Sequence, residues 1–167
     1  MKTLIRSLSI LGAFLVLAAC GDKDPPPVVA QPNNVPRFAY VANGADNSVS
    51  IYTVNAATGQ LRHSGYVAAG TGPRAVTVDP SGKFAYVANV NSNNVSAYTI
   101  NATTGVLGTV AGSPFTAGTA PISVTVDPSG KFAYVANYGS NNVSAYTINA
   151  TTGALSGGAA VAAGTSP

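Results

Sequence analysis

The eleven residues "DPSGKFAYVAN" occur twice without a change, as Asp79–Asn89 and as Asp127–Asn137. A partial third copy, "RFAYVAN", opens at Arg37. Working outward, "FAYVAN" begins at Phe38, Phe84 and Phe132, 46 and then 48 residues apart. The longer segments Phe84–Leu107 and Phe132–Leu155 differ at only three of 24 positions: Val90/Tyr138, Asn91/Gly139 and Val106/Ala154. A period in the forties marks a chain built from one structural unit said again and again, each unit unable to bury its faces alone.

The unit is made of strands. Helical repeats of similar period are set aside, because the unit is rich in Gly, Pro, Asn, Thr and Val and no window spaces its apolar residues by three and four. "FAYVAN" is an aromatic and β-branched run, "NVSAYTI" (Asn94–Ile100, Asn142–Ile148) alternates, and "SVTVDP" (Ser123–Pro128) ends at a proline. A weaker fourth run lies near Leu61–Val67 and Leu107–Ala111. The connectors are short and have a mechanism. In Asp127-Pro128-Ser129-Gly130, Asp suits the first position of a type I turn, Pro the second and Gly the fourth. "NATTG" (Asn101–Gly105, Asn149–Gly153) is a polar turn ending on a permissive Gly. Four short strands joined this way form an antiparallel meander, and meanders repeated every 40 to 50 residues are propeller blades. The fold class is therefore all-β, with blades of four antiparallel strands. Both faces of a blade are covered by its neighbours, and "FAYVA" fits this by setting bulky Phe and Tyr on one face against small Ala and Val on the other.

With strands lettered A to D from the channel outward, the propeller covers residues 37–167. Strands B-C-D of a first blade span 38–75, a second blade 76–122 and a third 123–167. That is about two and three-quarter blades, whereas a closed ring takes four to eight. The final "GTSP" aligns with Gly70–Pro73 and Gly118–Pro121, the segments that precede a strand A. The expectation is a piece of a longer gene product whose C-terminus would supply strand A of the first blade, or a chain that assembles with others. Uncovered blade faces would favour self-association.

The N-terminus reads as a leader. Lys2 and Arg6 form a basic start, and Leu8–Leu17 is an apolar run too short to span a bilayer. Leu17-Ala18-Ala19-Cys20 resembles a bacterial lipobox, which implies a signal peptide over 1–19, lipidation of Cys20, and a lipoprotein of the cell envelope held to the membrane by its N-terminal lipid. Asp22–Pro36 contains five prolines and reads as an extended tether, so 20–36 is the lipidated Cys plus spacer. One cysteine permits no intrachain disulfide. The formal charge of +3 includes Lys2 and Arg6, so the chain beyond the leader carries six basic and five acidic side chains. That balance is no footprint for nucleic acid. One His and scattered Asp make no metal set, and no glycine-rich phosphate loop precedes a helix, so no cofactor is expected.

"VTVDPSGKFAYVAN" followed by "NNVSAYTINATTGAL" resembles the lactonase-type β-propeller family, whose repeats often read Y-V-(T/A)-N. The resemblance covers Arg37–Pro167 and implies a seven-bladed ring. It implies either sugar-lactone hydrolysis, as in 6-phosphogluconolactonase, or a binding propeller without assigned chemistry. Family enzymes carry their chemistry on the face bearing the D–A and B–C loops, here Asn43–Ser48, Gly70–Arg74, Asn89–Asn94, Gly118–Ile122 and Asn137–Asn142. The ligand-face candidates are Arg74, Asp46, Asn91, Asn93 and Asn141. No catalytic residue is assigned, because lactone opening needs a base and oxyanion donors and the chain has no Glu and only one His. That residue, His63, falls on an outer strand. Asp79 and Asp127 start D-P-S-G turns and read as structural.

Two functions are carried forward. In the first, the chain is a lipid-anchored exported propeller presenting a binding or scaffold face to an envelope ligand. In the second, it is a lactone hydrolase whose active site lies largely in further blades.

Overall fold

A computed structural model describes residues 37–167. The leader, Cys20 and the tether lie outside the described residues. Among these residues there is no helix. Twelve strands follow in chain order: β1 (Phe38–Asn43), β2 (Ser48–Val54), β3 (Leu61–Ala68), β4 (Pro73–Val78), β5 (Phe84–Asn89), β6 (Asn94–Ile100), β7 (Leu107–Thr109), β8 (Phe115–Thr116), β9 (Pro121–Val126), β10 (Phe132–Asn137), β11 (Asn142–Ile148) and β12 (Leu155–Ala162). They form three antiparallel sheets, ordered β1-β2-β3, β4-β5-β6-β7 with β8 also on β6, and β9-β10-β11-β12. This is the all-β, blade-by-blade architecture that the period requires.

Equal sequence gives equal register. Phe38 pairs with Thr53, Phe84 with Thr99 and Phe132 with Thr147, and each hairpin closes on an Asn opposite residue 48, 94 or 142. The D-P-S-G turns form as their chemistry demands. The Gly82 amide donates to the Asp79 carbonyl at 2.9 Å, and Gly82 takes a φ of +69° that a side chain would strain. In the N-A-T-T-G turn, the Asn101 side-chain oxygen accepts from the amides of Thr103 and Thr104 at 2.9 and 3.0 Å.

Two boundaries differ from the sequence reading. The inner strands begin at Pro73 and Pro121, ahead of the blade boundaries at Val76 and Ser123, so Pro73, Arg74 and Ala75 belong to the second sheet. A proline is tolerated at a strand's first position, where its missing donor is not called on. The outer strand of the second blade is broken in two. Leu107–Pro121 is two residues longer than Leu61–Pro73, and it contains Pro114, which cannot donate to a ladder. Ser113 stands in for the lost pairing, its hydroxyl oxygen accepting from the Ala97 amide at 2.9 Å.

The core lies between sheets. One cluster joins the first and second sheets through Val49, Ile51, Ala85, Val87, Tyr98 and Leu107. A second joins the second and third through Phe84, Tyr86, Val95, Ala133, Tyr146 and Leu155, among others. Strand B of the first sheet, β1, approaches the inner strand β4, which in turn approaches the inner strand β9. Each seam is pinned the same way. Tyr40 and Tyr86 reach across the seam and donate to the carbonyls of Gly105 and Gly153 at 2.9 and 3.0 Å. Tyr98 and Tyr146 reach back and donate to Ala68 and Thr116 at 2.7 and 2.6 Å. The rings of Phe38 and Phe84 lie where a Cβ on Gly105 or Gly153 would sit, so those turns must carry glycine. Full burial of a Phe such as Phe84 is worth roughly 2 to 3 kcal/mol.

Candidate ligand-binding site

The D–A connectors and B–C loops meet at one end of the sheets. In the second blade the amides of Val90 and Asn91 donate to the carbonyls of Gly72 and Thr71 at 2.9 and 3.1 Å. The connector turns through Gly72, with φ +63°, and the Asn91 carboxamide lies against it so closely that a Cβ there would meet Asn91 Nδ2 at 2.6 Å. This docking puts Arg74 and Asn91, both exposed, on the rim of one shallow depression of about 420 Å³, lined also by Ala42, Gly44, Gly72, Pro73 and Val90.

The five candidates separate. Arg74 and Asn91 are brought together in that depression. Asn93 and Asn141 are spent on the backbone. Each adopts a positive φ, 54° and 51°, and its side-chain oxygen accepts an amide of the following connector, that of Ala120 or Ser166, at 2.8 Å. Asn47, which sequence reasoning did not single out, does the same for Gly72 at 2.8 Å. Asp46 is exposed on the loop before Ser48 and is not among the lining residues.

The last Asn of each "FAYVAN" was also given no role by the sequence, although its recurrence at a strand end is the signal. Asn89 and Asn137 are buried and donate through Nδ2 to Asn94 and Ser96, or Asn142 and Ser144, at 2.8 and 2.9 Å. They clamp the B–C loop from beneath. Their Oδ1 atoms are buried without a partner among the protein atoms.

Electrostatically the depression is one-sided, since its lining holds the Arg74 guanidinium and no carboxylate or imidazole. It can grip an anion or the oxygens of a polyol by charge-assisted hydrogen bonds, but no lining group could serve as a general base. The perturbed titrations lie elsewhere and have structural causes. Burial pushes Tyr40 up to about 12 and raises Tyr86, to which the Asp79 charge adds. Burial also raises Tyr98 and Tyr146, against the lowering effect of hydrogen bonds from Ser96 and Ser144. These phenols are the seam donors. Asp127 is held below the usual carboxyl range first by the Ser129 hydroxyl and then by the Phe132 amide, with the Ser129 and Lys131 amides adding. Asp79 makes the equivalent bonds to Ser81, Lys83 and Phe84, so both aspartates are turn caps. His63 lies exposed on β3, with its ring between those of Tyr52 and Tyr66 at 5.4 and 4.3 Å.

Sheets of this kind, pinned to one another in series with their connector loops at one end, define a β-propeller. The model of the family described as "Lactonase, 7-bladed beta-propeller" matches residues 31–117 and 112–167, and the chain belongs to that family. Among solved structures it is similar to a candidate 6-phosphogluconolactonase from Bacteroides fragilis, with 25% identity, a TM-score of 0.72, and 78% of this chain covering 37% of that one. It is similar in fold to the periplasmic gluconolactonase PpgL of Pseudomonas aeruginosa, with 23% identity, a TM-score of 0.70, and 78% covering 38%. A protein from Lactobacillus plantarum gives 22% and 0.71, with 78% covering 40%. The chain thus spans well under half the length of these structures. No curated protein matches the sequence.

Proposed function

We propose that the chain is part of an exported, lipid-anchored propeller whose connector face binds a small anionic or polyhydroxylated ligand of the cell envelope, with Arg74 as the principal contact. One observation carries the ligand site. The second and third blades are nearly identical, yet Val90 and Asn91, two of the three departures within Phe84–Leu107, line the same depression as Arg74, where the third blade has Ile122. Drift would scatter such departures; a ligand site would gather them. The lining supplies a cation and an amide without a base, which favours binding over hydrolysis. The apolar leader and Leu17-Ala18-Ala19-Cys20 support the anchor.

A second reading is lactone hydrolysis with the base contributed by further blades. It is supported by the family and by the lactonase descriptions of the B. fragilis and P. aeruginosa structures.

Calorimetric titration with gluconate and with glucono-δ-lactone separates the two. Saturable binding that Arg74→Ala weakens at least about tenfold supports the binding face, a loss typical of a charge-assisted contact. Lactone opening above the uncatalysed rate, abolished by the same variant, moves the assignment to the hydrolase. Binding of neither compound removes Arg74 as a ligand residue. For the anchor, Cys20→Ser should shift the protein from the membrane to the soluble fraction; persistence at the membrane would rule the lipid out.

A further inference from the structure

The two ends of the sheets differ in charge. The end that carries the D–A connectors and B–C loops holds Arg74 and Asp46, one charge of each sign. At the other end Arg37, Lys83 and Lys131 occupy equivalent places, each just before a "FAYVAN" strand. Their carbonyls accept from the amides of Val54, Ile100 and Ile148 at 2.8, 2.7 and 2.8 Å, so the backbone fixes one cation at the same point of each sheet. All three are exposed, as is Arg62, one residue in from the start of β3 at this end. Four of the five Lys and Arg among the described residues therefore stand together. The carboxylates at this end, Asp79 and Asp127, are turned onto their own D-P-S-G turns, where each takes backbone amides and a serine hydroxyl. The second observation is covalent: the proline-rich segment Asp22–Pro36 joins the sheets at Arg37, at this same end.

We infer that the end bearing Arg37, Arg62, Lys83 and Lys131 docks on the anionic lipid surface to which the chain is anchored, so that the Arg74 depression faces away from it. The inference rests on the anchored reading of Cys20. Lipid is the partner because the chain enters beside the cations, which brings them to the surface that holds the anchor. Headgroup charge acts on Lys and Arg within about a Debye length, ~10 Å at 0.1 M salt, and each cation so placed adds on the order of fivefold to partition. No fixed pocket is required, and none of the four lies in the Arg74 depression. The surface is made of turns and strand ends from all three sheets, so it does not depend on what flanks them.

The membrane-bound full chain, reconstituted in vesicles, tests this. A fluorophore is attached at Ala102→Cys, in the N-A-T-T-G turn of the cationic end, or at Ala45→Cys, in a loop of the opposite end; both positions are exposed. The chain without an added cysteine gives the background. Quenching by a headgroup-attached nitroxide is compared in mixed phosphatidylglycerol–phosphatidylcholine vesicles and in phosphatidylcholine alone. In the anionic vesicles, the label at residue 102 should be quenched at least about twice as strongly as that at residue 45, since the attraction holds only close to the surface. The excess should vanish in phosphatidylcholine alone, and at about 1 M salt, where the Debye length is about 3 Å. It should also vanish in the double variant Lys83→Gln/Lys131→Gln. A chain that floats with the anionic vesicles yet shows equal quenching at the two positions overturns the inference and leaves the anchor standing. So does an excess that neither salt nor the double variant reduces. A chain that does not float with the vesicles overturns both the anchor and the docking.

Discussion

The same six residues, Phe-Ala-Tyr-Val-Ala-Asn, occupy the middle sheet and the third sheet in the same register with strand C, and they fare differently. In the middle sheet all six are buried; in the third, Phe132 and Tyr134 stand open while Ala133, Val135 and Asn137 stay covered. The alternation tells why. The covered residues face the second sheet, and the open ones face the opposite side, where no other sheet lies among the described residues. Burial here is a property of a seam and not of a strand. A blade is half-made until both neighbours are in place, as expected of a repeat fold whose stability is largely a sum of nearest-neighbour terms.

The sharpest way to break that comparison is to delete the same ring in both places. Phe84→Ala should cost about 3 to 5 kcal/mol, the range for emptying a packed aromatic site. Phe132→Ala should cost under about 1 kcal/mol, as for a surface change away from special features. Both are read from denaturant midpoints at protein concentrations where the chain is a single copy. Equal losses would mean that the seams do not carry the fold.

A second pair repeats the comparison at the turns. Asp79 and Asp127 open identical D-P-S-G turns, but Asp79 is buried, with Ser129, Gly130 and Ala150 beside its turn, while Asp127 is half-buried. Asp79→Ala strips the acceptor from the buried Phe84 amide, a 2.7 Å bond, and should cost about 1 to 3 kcal/mol. Asp127→Ala leaves its amides to water and should lower the unfolding midpoint less. The reverse order would show that the third sheet does not shield the turn.

Much of this was legible in the sequence. The strands, the D-P-S-G and N-A-T-T-G turns and the four-strand period follow from local propensity, which acts within a few residues. The broken outer strand was not seen, although Pro114 marks it, because two short ladders on β6 look from sequence like one weak run. The site was only half legible. Arg74 stood out as a departure from its repeat, but its meeting with Asn91 depends on the connector docking against the B–C loop through Gly72. Asn93 and Asn141 read as free amides on a ligand face, and only the positive φ of each shows the side chain turned onto the backbone.

The smallest effect expected is acidic and belongs to the turn of Asp127. Folded Asp127 sits below its ordinary pKa of 3.8 because the Ser129 hydroxyl and the Phe132 amide favour the carboxylate. A lowered folded pKa means that the unfolded chain takes up the proton first. The stabilisation is therefore whole above the ordinary value, fades as pH falls below it, and is gone once pH passes the folded value. Ser129→Ala removes the largest cause, so the Asp127 carboxyl, followed by its carbon resonance, should titrate at higher pH in that variant. The acid-side loss of stability should shrink in Asp127→Asn. An unmoved titration in Ser129→Ala would mean that the turn is held by its backbone alone, and that the two D-P-S-G copies differ only in their cover.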